Sequence, residues 1–278
     1  MGELVTVRVC EGISRGFAAD ARARIAAVVG GADALVESLR VRVGTIGATG
    51  SPGATGSLGG ADEAGVLTQV NAEVDGRRIR VQEAAADLGE ALDRLAEGLR
   101  ARMNAVTSGW TPRPWPRRTR ALLTADAPGA AVAGTAVAGS AVARSELPYP
   151  AGPQRVVRRK RAQLVWCSPD AAARTMDAMD YDIHLFTDPA TETDAVVYRV
   201  GPTGYRLART VAAGPPTRPA VPLTLSPCGA PELTEDQAVD RLNGAELPYL
   251  FFAQPGSGRG RVLYRRFDGG LGLIAAAS

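Results

Sequence analysis

Arginine is the residue type whose number and spacing in this chain indicate binding chemistry. Residues 1–107 hold 12 arginines against 14 acidic residues, a net charge of −2, and residues 162–278 hold 10 against 13, a net charge of −3. The segment 108–161 holds nine arginines and Lys160 against Asp126 and Glu146, a net charge of +8. Because a guanidinium group binds phosphate oxygens in pairs, this segment favours contact with a polyanion such as RNA. A codon preference for arginine explains the shortage of lysine equally well.

The start of this basic segment combines arginine with aromatic residues. Trp110 and Trp115 lie among prolines, and Arg113, Arg117, Arg118 and Arg120 follow at once. Indole rings can stack on bases while the arginines neutralise phosphates. A disordered, solubilising tether would have the same composition, so both interpretations stay open.

Residues that could perform catalysis or bind a metal are few. The three cysteines Cys10, Cys167 and Cys228 are scattered without a CxxC pair, and His184 is the only histidine. With no nucleophile–base pair, metal cluster or phosphate loop, we expect no enzyme activity, no cofactor and no metal. The cysteine spacing favours reduced thiols, the first ten residues lack a signal-peptide pattern, and no apolar stretch fits a membrane span. We therefore expect a cytoplasmic protein without a membrane partner.

An internal repeat organises the second half of the chain. Residues 168–207 match residues 234–273 without a gap at an offset of 66. The identical pairs are Asp170/Asp236, Ala172/Ala238, Phe186/Phe252, Pro189/Pro255, Val196/Val262, Tyr198/Tyr264, Arg199/Arg265, Gly204/Gly270 and Leu207/Leu273. Each copy is predicted as β-α-β-β-β, with Ser168 or Thr234 capping its helix. Units this small leave much surface exposed, so the two copies are expected to share a core.

The first 107 residues predict a separate domain with the order β-α-β-β-β-α. Alternating apolar residues indicate strands at 3–11, 36–46, 66–74 and 77–82, and periods of three and four indicate helices at 15–29 and 84–106. Two helices would cover one face of a four-stranded sheet and leave the other face open. Residues 44–65, rich in Gly, Ser, Thr and Ala, are predicted as a flexible loop.

The predicted fold class is therefore α+β, with a linker between the two halves. We place the N-terminal domain at 1–107, a Pro/Ala/Arg-rich linker at 108–154, and the two repeats at 155–211 and 212–278. The two repeats are expected to pack as an internal pseudo-dimer.

Several motifs resemble the long ribosome hibernation promoting factors. Arg158-Arg159-Lys160-Arg161 leads to a helix with Ala172, Met176 and Met179, and Ile183-His184-Leu185-Phe186 precedes Val196-Val197-Tyr198-Arg199, as in the C-terminal domain of that family. The second copy, from Leu250-Phe251-Phe252 to Val262–Ile274, resembles the end of that domain still more closely. Asp87–Asp93 is similar to a segment in the last helix of the family's N-terminal domain. Two tandem copies look like the variant found in actinobacterial dormancy-associated factors.

The resemblance implies that the N-terminal domain binds the small-subunit decoding region, where mRNA and tRNA would bind. The implied partners are the 70S ribosome, its 30S subunit and 16S rRNA, and the implied function is translation inhibition under stress or dormancy. The candidate rRNA contacts are Arg22, Arg24, Arg78, Arg80, Arg94, Arg100, Arg102, Arg113, Arg117, Arg118 and Arg120. A solvated helix face balanced by Glu90, Asp93 and Glu97 would also account for the arginines of the N-terminal domain. The alternative function is an RNA-binding regulator that acts away from the ribosome through the linker.

In single-copy relatives this C-terminal domain pairs with its twin from another chain. Here both copies lie on one chain, so we expect them to pair internally and no homodimer to form. The residues expected to pair the repeats are Phe186, Val196, Tyr198, Phe252, Val262 and Tyr264.

Overall fold

A computed structural model describes residues 5–9, 15–46, 65–112, 154–200, 204–216, 219–266 and 270–277. Within these ranges the chain forms four helices and three four-stranded sheets, so the predicted mixed α+β class is confirmed. The chain divides into two compact units. Of the described residues, those up to 112 together with Asp177–Asp180 form the N-terminal unit, and the others from 154 onwards form the C-terminal unit.

The N-terminal unit has the element order that alternation and helical periodicity predict. Its elements are β1 (Val5–Val9), α1 (Arg15–Gly30), β2 (Val36–Ile46), β3 (Gly65–Val74), β4 (Arg77–Ala85) and α2 (Leu88–Thr107). The sheet order is β1-β2-β3-β4. β1 is parallel to β2, and the other two pairs are antiparallel. The left-handed backbone at Asp75 and Gly76 forms the tight turn from β3 to β4.

Both helices pack on one face of this sheet because its strands alternate strictly. Every second residue of β3 is buried, from Val66 to Val74. The stripe of α2 that faces the sheet is fully buried; it consists of Ala91, Leu92, Leu95, Leu99 and Met103. Gly98 lets this helix approach closely, since a Cβ there would lie 2.6 Å from a methyl carbon of Val81.

Two predicted boundaries in this unit are wrong. The helix predicted from Ala84 begins at Leu88, where the Asp87 carboxylate caps it by accepting from the Glu90 N–H at 2.9 Å. β4 continues past its predicted end at Gln82, because Ala84 and Ala85 pair with Leu67 and Val66 of β3. Alanine has the highest helix propensity, so a run of alanines predicts a helix, and pairing with β3 overrides that preference here. The predicted loop at 44–65 lies outside the described residues except at its two ends, which belong to strands.

The C-terminal unit contains the two repeats. The first contributes β5 (Val156–Ala162), α3 (Pro169–Ala178), β6 (Ile183–Asp188), β7 (Thr193–Val200) and β8 (Gly204–Arg209). The second contributes β9 (Leu223–Leu225), α4 (Glu235–Gly244), β10 (Tyr249–Ala253), β11 (Gly260–Arg265) and β12 (Leu271–Ala276). Thr234 caps α4 in a full capping box with Gln237, as its sequence predicts.

The first strand of each repeat lies in the sheet of the other repeat. The sheets have the orders β6-β7-β8-β9 and β10-β11-β12-β5. β9 pairs in parallel with β8, and β5 pairs in parallel with β12. After each exchanged strand the chain returns to its own sheet through a single bridge, Trp166 to Thr187 in one repeat and Glu232 to Ala253 in the other. Separating the repeats would therefore break two parallel strand pairs. The sequence did not predict this exchange of strands.

The arginine that follows each central tyrosine has a structural role. Arg265 donates to the carbonyls of Leu242 and Leu247 at 3.2 and 2.9 Å, at the C-terminal end of α4. A cation there satisfies orphan carbonyls and complements the helix dipole. Arg199, the equivalent in the first repeat, is 2% exposed and donates to the Tyr205 hydroxyl at 2.8 Å.

The only histidine makes the stability of the C-terminal unit depend on pH. Burial lowers the pKa of His184 to about 4, between the rings of Tyr181 and Phe186. Its pKa in the unfolded chain is about 6.5. Stability is therefore complete above about pH 6.5 and falls as the pH drops towards 4, by up to about 3 kcal/mol.

We expect His184→Leu to remove this dependence, because Leu250 occupies the equivalent position in the second repeat. Urea unfolding of the full chain at pH 7 and pH 5 measures the effect. Equal losses of stability in the two proteins on acidification would contradict it.

Candidate nucleic-acid surface and repeat-pairing contact

The structure places the candidate arginines of the N-terminal unit on two different faces. Arg78 and Arg80 lie on β4, where they alternate with Ile79 and Val81. Because Ile79 and Val81 point into the core, the two arginines lie on the face opposite the helices. The others lie on the helix side: Arg22 and Arg24 on α1, and Arg94, Arg100 and Arg102 on α2. The predicted set therefore does not form one continuous surface.

Arginines on the helix side are partly neutralised by carboxylates of the same unit. Arg24 pairs with Asp20 at 3.1 Å and with Asp93 of α2. Its hydrogen bonds to these two carboxylates raise the pKa of Arg24. Arg94 pairs with Glu90 one turn earlier. The interpretation of these positions as a balanced, solvated face therefore has direct support for Arg24 and Arg94.

The open face of the sheet carries more arginines than the two predicted from the sequence, Arg78 and Arg80. Arg8 of β1 and Arg40 and Arg42 of β2 are exposed, and they alternate with the buried residues of their strands. They therefore share the face of Arg78 and Arg80. We call Arg8, Arg40, Arg42, Arg78 and Arg80 the open-face arginines.

Strand register brings the open-face arginines close together. Arg8 is the register partner of Arg42 on the neighbouring strand, and Arg40, Asn71 and Arg80 form one row across β2, β3 and β4. The Arg80 Nε–H donates to the Asn71 side-chain oxygen at 2.8 Å, which fixes the position of the guanidinium in this row. Neighbouring strands lie about 5 Å apart, and alternate residues of one strand about 7 Å.

The charge of this face is favourable for an anionic ligand. Among the described residues, no carboxylate forms an ion pair with Arg8, Arg40, Arg42 or Arg78. Like charges directly opposite each other, as Arg8 and Arg42 are, destabilise a sheet, and a bound phosphate would relieve that repulsion. Glu73 is the register partner of Arg78 and shares this face, so the open-face arginines outnumber the carboxylate that lies among them. Strand alternation was the signal for Arg8, Arg40 and Arg42, but the register that unites them was not in the sequence.

Other sequence-derived candidates lie outside the described residues. Arg113, Arg117, Arg118 and Arg120 belong to the stretch 113–153, of which the structure describes nothing. Within the described ranges, no group of three or more His, Cys, Asp or Glu side chains could hold a metal ion. No helix described here is long and apolar enough to cross a membrane.

An apolar cluster joins the two repeats. It contains Leu185, Val196, Tyr198 and Ala208 from the first repeat and Tyr249, Phe251 and Val262 from the second, with Tyr264 packed at its margin. The rings of Tyr198 and Tyr249 meet edge to face at 5.8 Å, and burial raises the pKa of Tyr198. Phe252 lies instead in the cluster with Leu242 of α4. Phe186 is fully buried next to Leu185 in β6, so it points to the other face of the sheet.

A polar contact lies beside this cluster, between residues at equivalent positions of the two repeats. The Asp194 carboxylate, 5% exposed, accepts from the Arg259 Nε–H at 2.7 Å and from the Gly260 N–H at 2.8 Å. Residues 194 and 260 differ by the repeat offset of 66. A Cβ at Gly260 would lie 2.8 Å from the Asp194 Cβ and 2.9 Å from a Phe251 ring carbon. The contact therefore requires an aspartate in one repeat and a glycine in the other.

The chain is similar to several known proteins. Residues 151–207 match the family described as "Sigma 54 modulation/S30EA ribosomal protein C terminus". The "Dormancy associated translation inhibitor" of Mycobacterium tuberculosis, in strains CDC 1551 / Oshkosh and ATCC 25618 / H37Rv, is 39% identical over 239 residues, which are 82% of this chain and 77% of the relative. The N-terminal domain of Thermus thermophilus Protein Y aligns with 37% of this chain and 99% of its own length, at 16% identity and a TM-score of 0.28.

The repeat and the strand pattern define a hibernation-type factor with a duplicated C-terminal domain. The identity to the mycobacterial relatives and the coverage of both chains show the family. This chain belongs to the long-form ribosome hibernation promoting factors of the dormancy-associated translation inhibitor type. The family resemblance derived from the sequence is thereby confirmed.

The Asp194–Gly260 contact predicts an unusually sensitive glycine. We expect Gly260→Ala to lower the free energy of unfolding of the C-terminal unit by about 1–3 kcal/mol, because the added methyl group overpacks a buried contact. Urea unfolding followed by circular dichroism measures it. Gly244→Ala, at the end of α4 with no atom within 4 Å of the added Cβ, is the matched control and should change little. Similar losses in the two variants would show that the close approach at Gly260 is unimportant.

Proposed function

We propose that this protein binds the small-subunit decoding region and holds 70S ribosomes in an idle state under stress or dormancy. The observation that carries the proposal is the cluster of open-face arginines on a folded domain of a hibernation factor. The curated relatives, named as dormancy associated translation inhibitors, support the same role. The protein would act by occupancy, since mRNA and tRNA need the space that its N-terminal unit would fill.

The physical basis of the binding is neutralisation of rRNA phosphates. Each arginine that contacts a phosphate releases condensed counterions, so affinity falls steeply with salt, by close to one unit of the log–log slope per contact. Phosphate contacts position a protein without reading sequence, which suits a factor that must recognise every ribosome. The sheet fixes the backbone positions of the arginines, and each exposed side chain loses rotamer freedom on binding.

We propose further that the two repeats pair within one chain as an internal pseudo-twofold dimer. The exchanged strands and the shared apolar cluster support this arrangement. The connection between β8 and β9 spans only residues 210–222. A short tether gives an effective concentration of order mM, which favours the internal partner over a repeat from another molecule.

The Asp194–Gly260 contact adds selectivity to this pairing. If two first repeats paired in the same geometry, Asp194 would face another Asp194, and two buried like charges disfavour association by several kcal/mol. If two second repeats paired, Gly260 would face glycine and Arg259 would lose its carboxylate. Only the mixed pair joins a carboxylate to the guanidinium and the free N–H. The contact thus disfavours pairing of like repeats, and the short tether disfavours mixed pairing between two chains.

The open face can be tested against the helix side of the same unit. We expect Arg40→Ala/Arg42→Ala to weaken binding of the full chain to purified 70S ribosomes and to lower the salt slope by about two. Co-sedimentation across a salt series measures both quantities. Arg24→Ala/Arg94→Ala removes the same charge from positions that are already ion-paired and should retain most of the wild-type slope. A larger effect from the helix-side pair would place the rRNA surface on the helices instead.

Internal pairing predicts the ribosome species that the protein stabilises. Sucrose gradients of ribosomes incubated with the full chain should show 70S particles, because no repeat is left to join a second ribosome. A prominent 100S peak would contradict internal pairing. Absence of the protein from all ribosome fractions would instead favour an RNA-binding regulator that acts away from the ribosome.

A further inference from the structure

The exposed edge of the second-repeat sheet is the most strongly basic described segment of the C-terminal unit. β5 forms this edge, next to β12. Its central residues Val157, Arg158, Arg159, Lys160 and Arg161 are all exposed. Residues 155–161 hold five of the ten basic residues of the segment 108–161, the other five being Arg113, Arg117, Arg118, Arg120 and Arg144.

We propose that β5 is a second RNA-binding surface, which binds the phosphate backbone through Arg158, Lys160 and Arg161. It lies in a different unit from the open-face arginines and does not depend on them. It rests on the proposed function in one respect, since the RNA that binds β5 in the cell would be rRNA of the bound ribosome.

Most of the positive charge on β5 is available to a ligand. Among the described residues, the guanidinium groups of Arg158 and Arg161 have no ion-pair partner. Arg159 pairs with Glu235 at the start of α4, yet its side chain remains 63% exposed. The Lys160 Nζ lies 5.6 Å from the centre of the Tyr264 ring, a contact that leaves an ammonium charged. The helix-side arginines Arg24 and Arg94 differ in being held by carboxylates.

The geometry of the strand presents these charges in two rows. Register places Arg158 beside Gly272 and Lys160 beside Ile274, on the face of the shared apolar cluster. Arg159 and Arg161 lie beside Leu273 and Ala275, on the face of α4. Residues two apart on a strand are about 7 Å from each other. An extended backbone on the edge therefore offers cations on both sides, to which a single polyanion strand can bind along its length.

The second repeat contains an internal comparison for this strand. β9 is equivalent to residues 157–159 and pairs in parallel with β8 as β5 does with β12, but its sequence is Leu223-Thr224-Leu225. Thr224 therefore stands where the first repeat has Arg158, and Leu225 where it has Arg159. An exchanged strand forms without any cation, so strand pairing is not the reason for the basic residues of β5. Arg159 and Lys160 have partners within the fold, whereas strand pairing leaves Arg158 and Arg161 unexplained.

RNA is favoured over other anions by the residue types. Three of the four consecutive cations are arginines, whose planar guanidinium groups bind phosphate oxygens bidentately. They also continue, in the sequence, the basic segment that begins at Arg113. If the partner of β5 were an acidic protein, polyglutamate would compete with the labelled RNA as strongly as unlabelled RNA does.

Fluorescence anisotropy of the full chain with a labelled RNA duplex tests the proposal. We expect Arg158→Ala/Arg161→Ala to lower the salt slope by about two, so that the affinity lost between 50 and 200 mM salt shrinks by about tenfold. Arg158→Lys/Arg161→Lys, which keeps the charge, should retain most of the slope. The matched control is Arg174→Ala/Arg241→Ala, which removes two arginines from α3 and α4. Combination with Arg40→Ala/Arg42→Ala should give the sum of the separate effects, because the two surfaces are independent.

Three results would overturn the proposal. One is an unchanged salt slope in Arg158→Ala/Arg161→Ala. Another is equal competition by polyglutamate and RNA. The third is self-association of that variant with unaltered RNA binding, since charged edges also prevent sheet-to-sheet pairing. The salt slope could fall in Arg158→Ala/Arg161→Ala while the wild-type chain fails to co-sediment with ribosomes. That result would support β5 as an RNA site and reject the proposed function.

Discussion

The exchange of first strands between the repeats is the interaction on which the C-terminal unit depends. Each sheet contains three strands of one repeat and one of the other, so neither sheet is complete without both. The exchange also brings β6, β7, β10 and β11 into one apolar cluster, with the tyrosines of both repeats at its centre. Two modules of marginal size thereby obtain one core of adequate size.

The same constraint explains why the two copies have diverged where they have. Residues buried under each helix remain alike, as Phe186 and Phe252 do, because each repeat still builds its own helix–sheet contact. Positions that meet across the repeats are free to become complementary, as Asp194 and Gly260 have. The exposed positions of the exchanged strand have also separated, into the basic β5 and the neutral β9. Duplication within one chain therefore permits an asymmetry that two identical chains could not express.

Much of the fold was predictable because it depends on local periodicity. Alternation indicated the strands of the N-terminal unit, and a gapless offset of 66 indicated the duplication. The sequence could not reveal the strand exchange, because β5 precedes its own helix in either arrangement and only tertiary pairing decides which sheet it joins. The start of α2 was misplaced because Ala84 and Ala85 favour a helix by propensity, whereas their pairing with β3 is tertiary. Two of the five open-face arginines, Arg78 and Arg80, were predicted from the sequence. Arg8, Arg40 and Arg42 could be assigned to the same surface only from the register between the strands.

Both proposed RNA surfaces place arginines on strands whose backbone is fixed by pairing. One is a sheet face whose helices lie on the other side, and the second is a sheet edge. Arg40 and Arg42 on the face and Arg158 and Arg161 on the edge form no ion pair with a described carboxylate. Arg159 of the edge pairs with Glu235, as Arg24 and Arg94 on the helices pair with carboxylates of their own unit. The distribution of charge by face, rather than the net charge of either unit, is thus the property that indicates RNA.

The most direct test is a cryo-electron microscopy map of the full chain bound to 70S ribosomes. The account predicts one chain per ribosome, with Arg40, Arg42 and Arg80 facing rRNA phosphates in the small subunit and the two repeats of that chain paired with each other. A map in which the helices α1 and α2 face the rRNA, or in which repeats of two chains pair between two ribosomes, would contradict it.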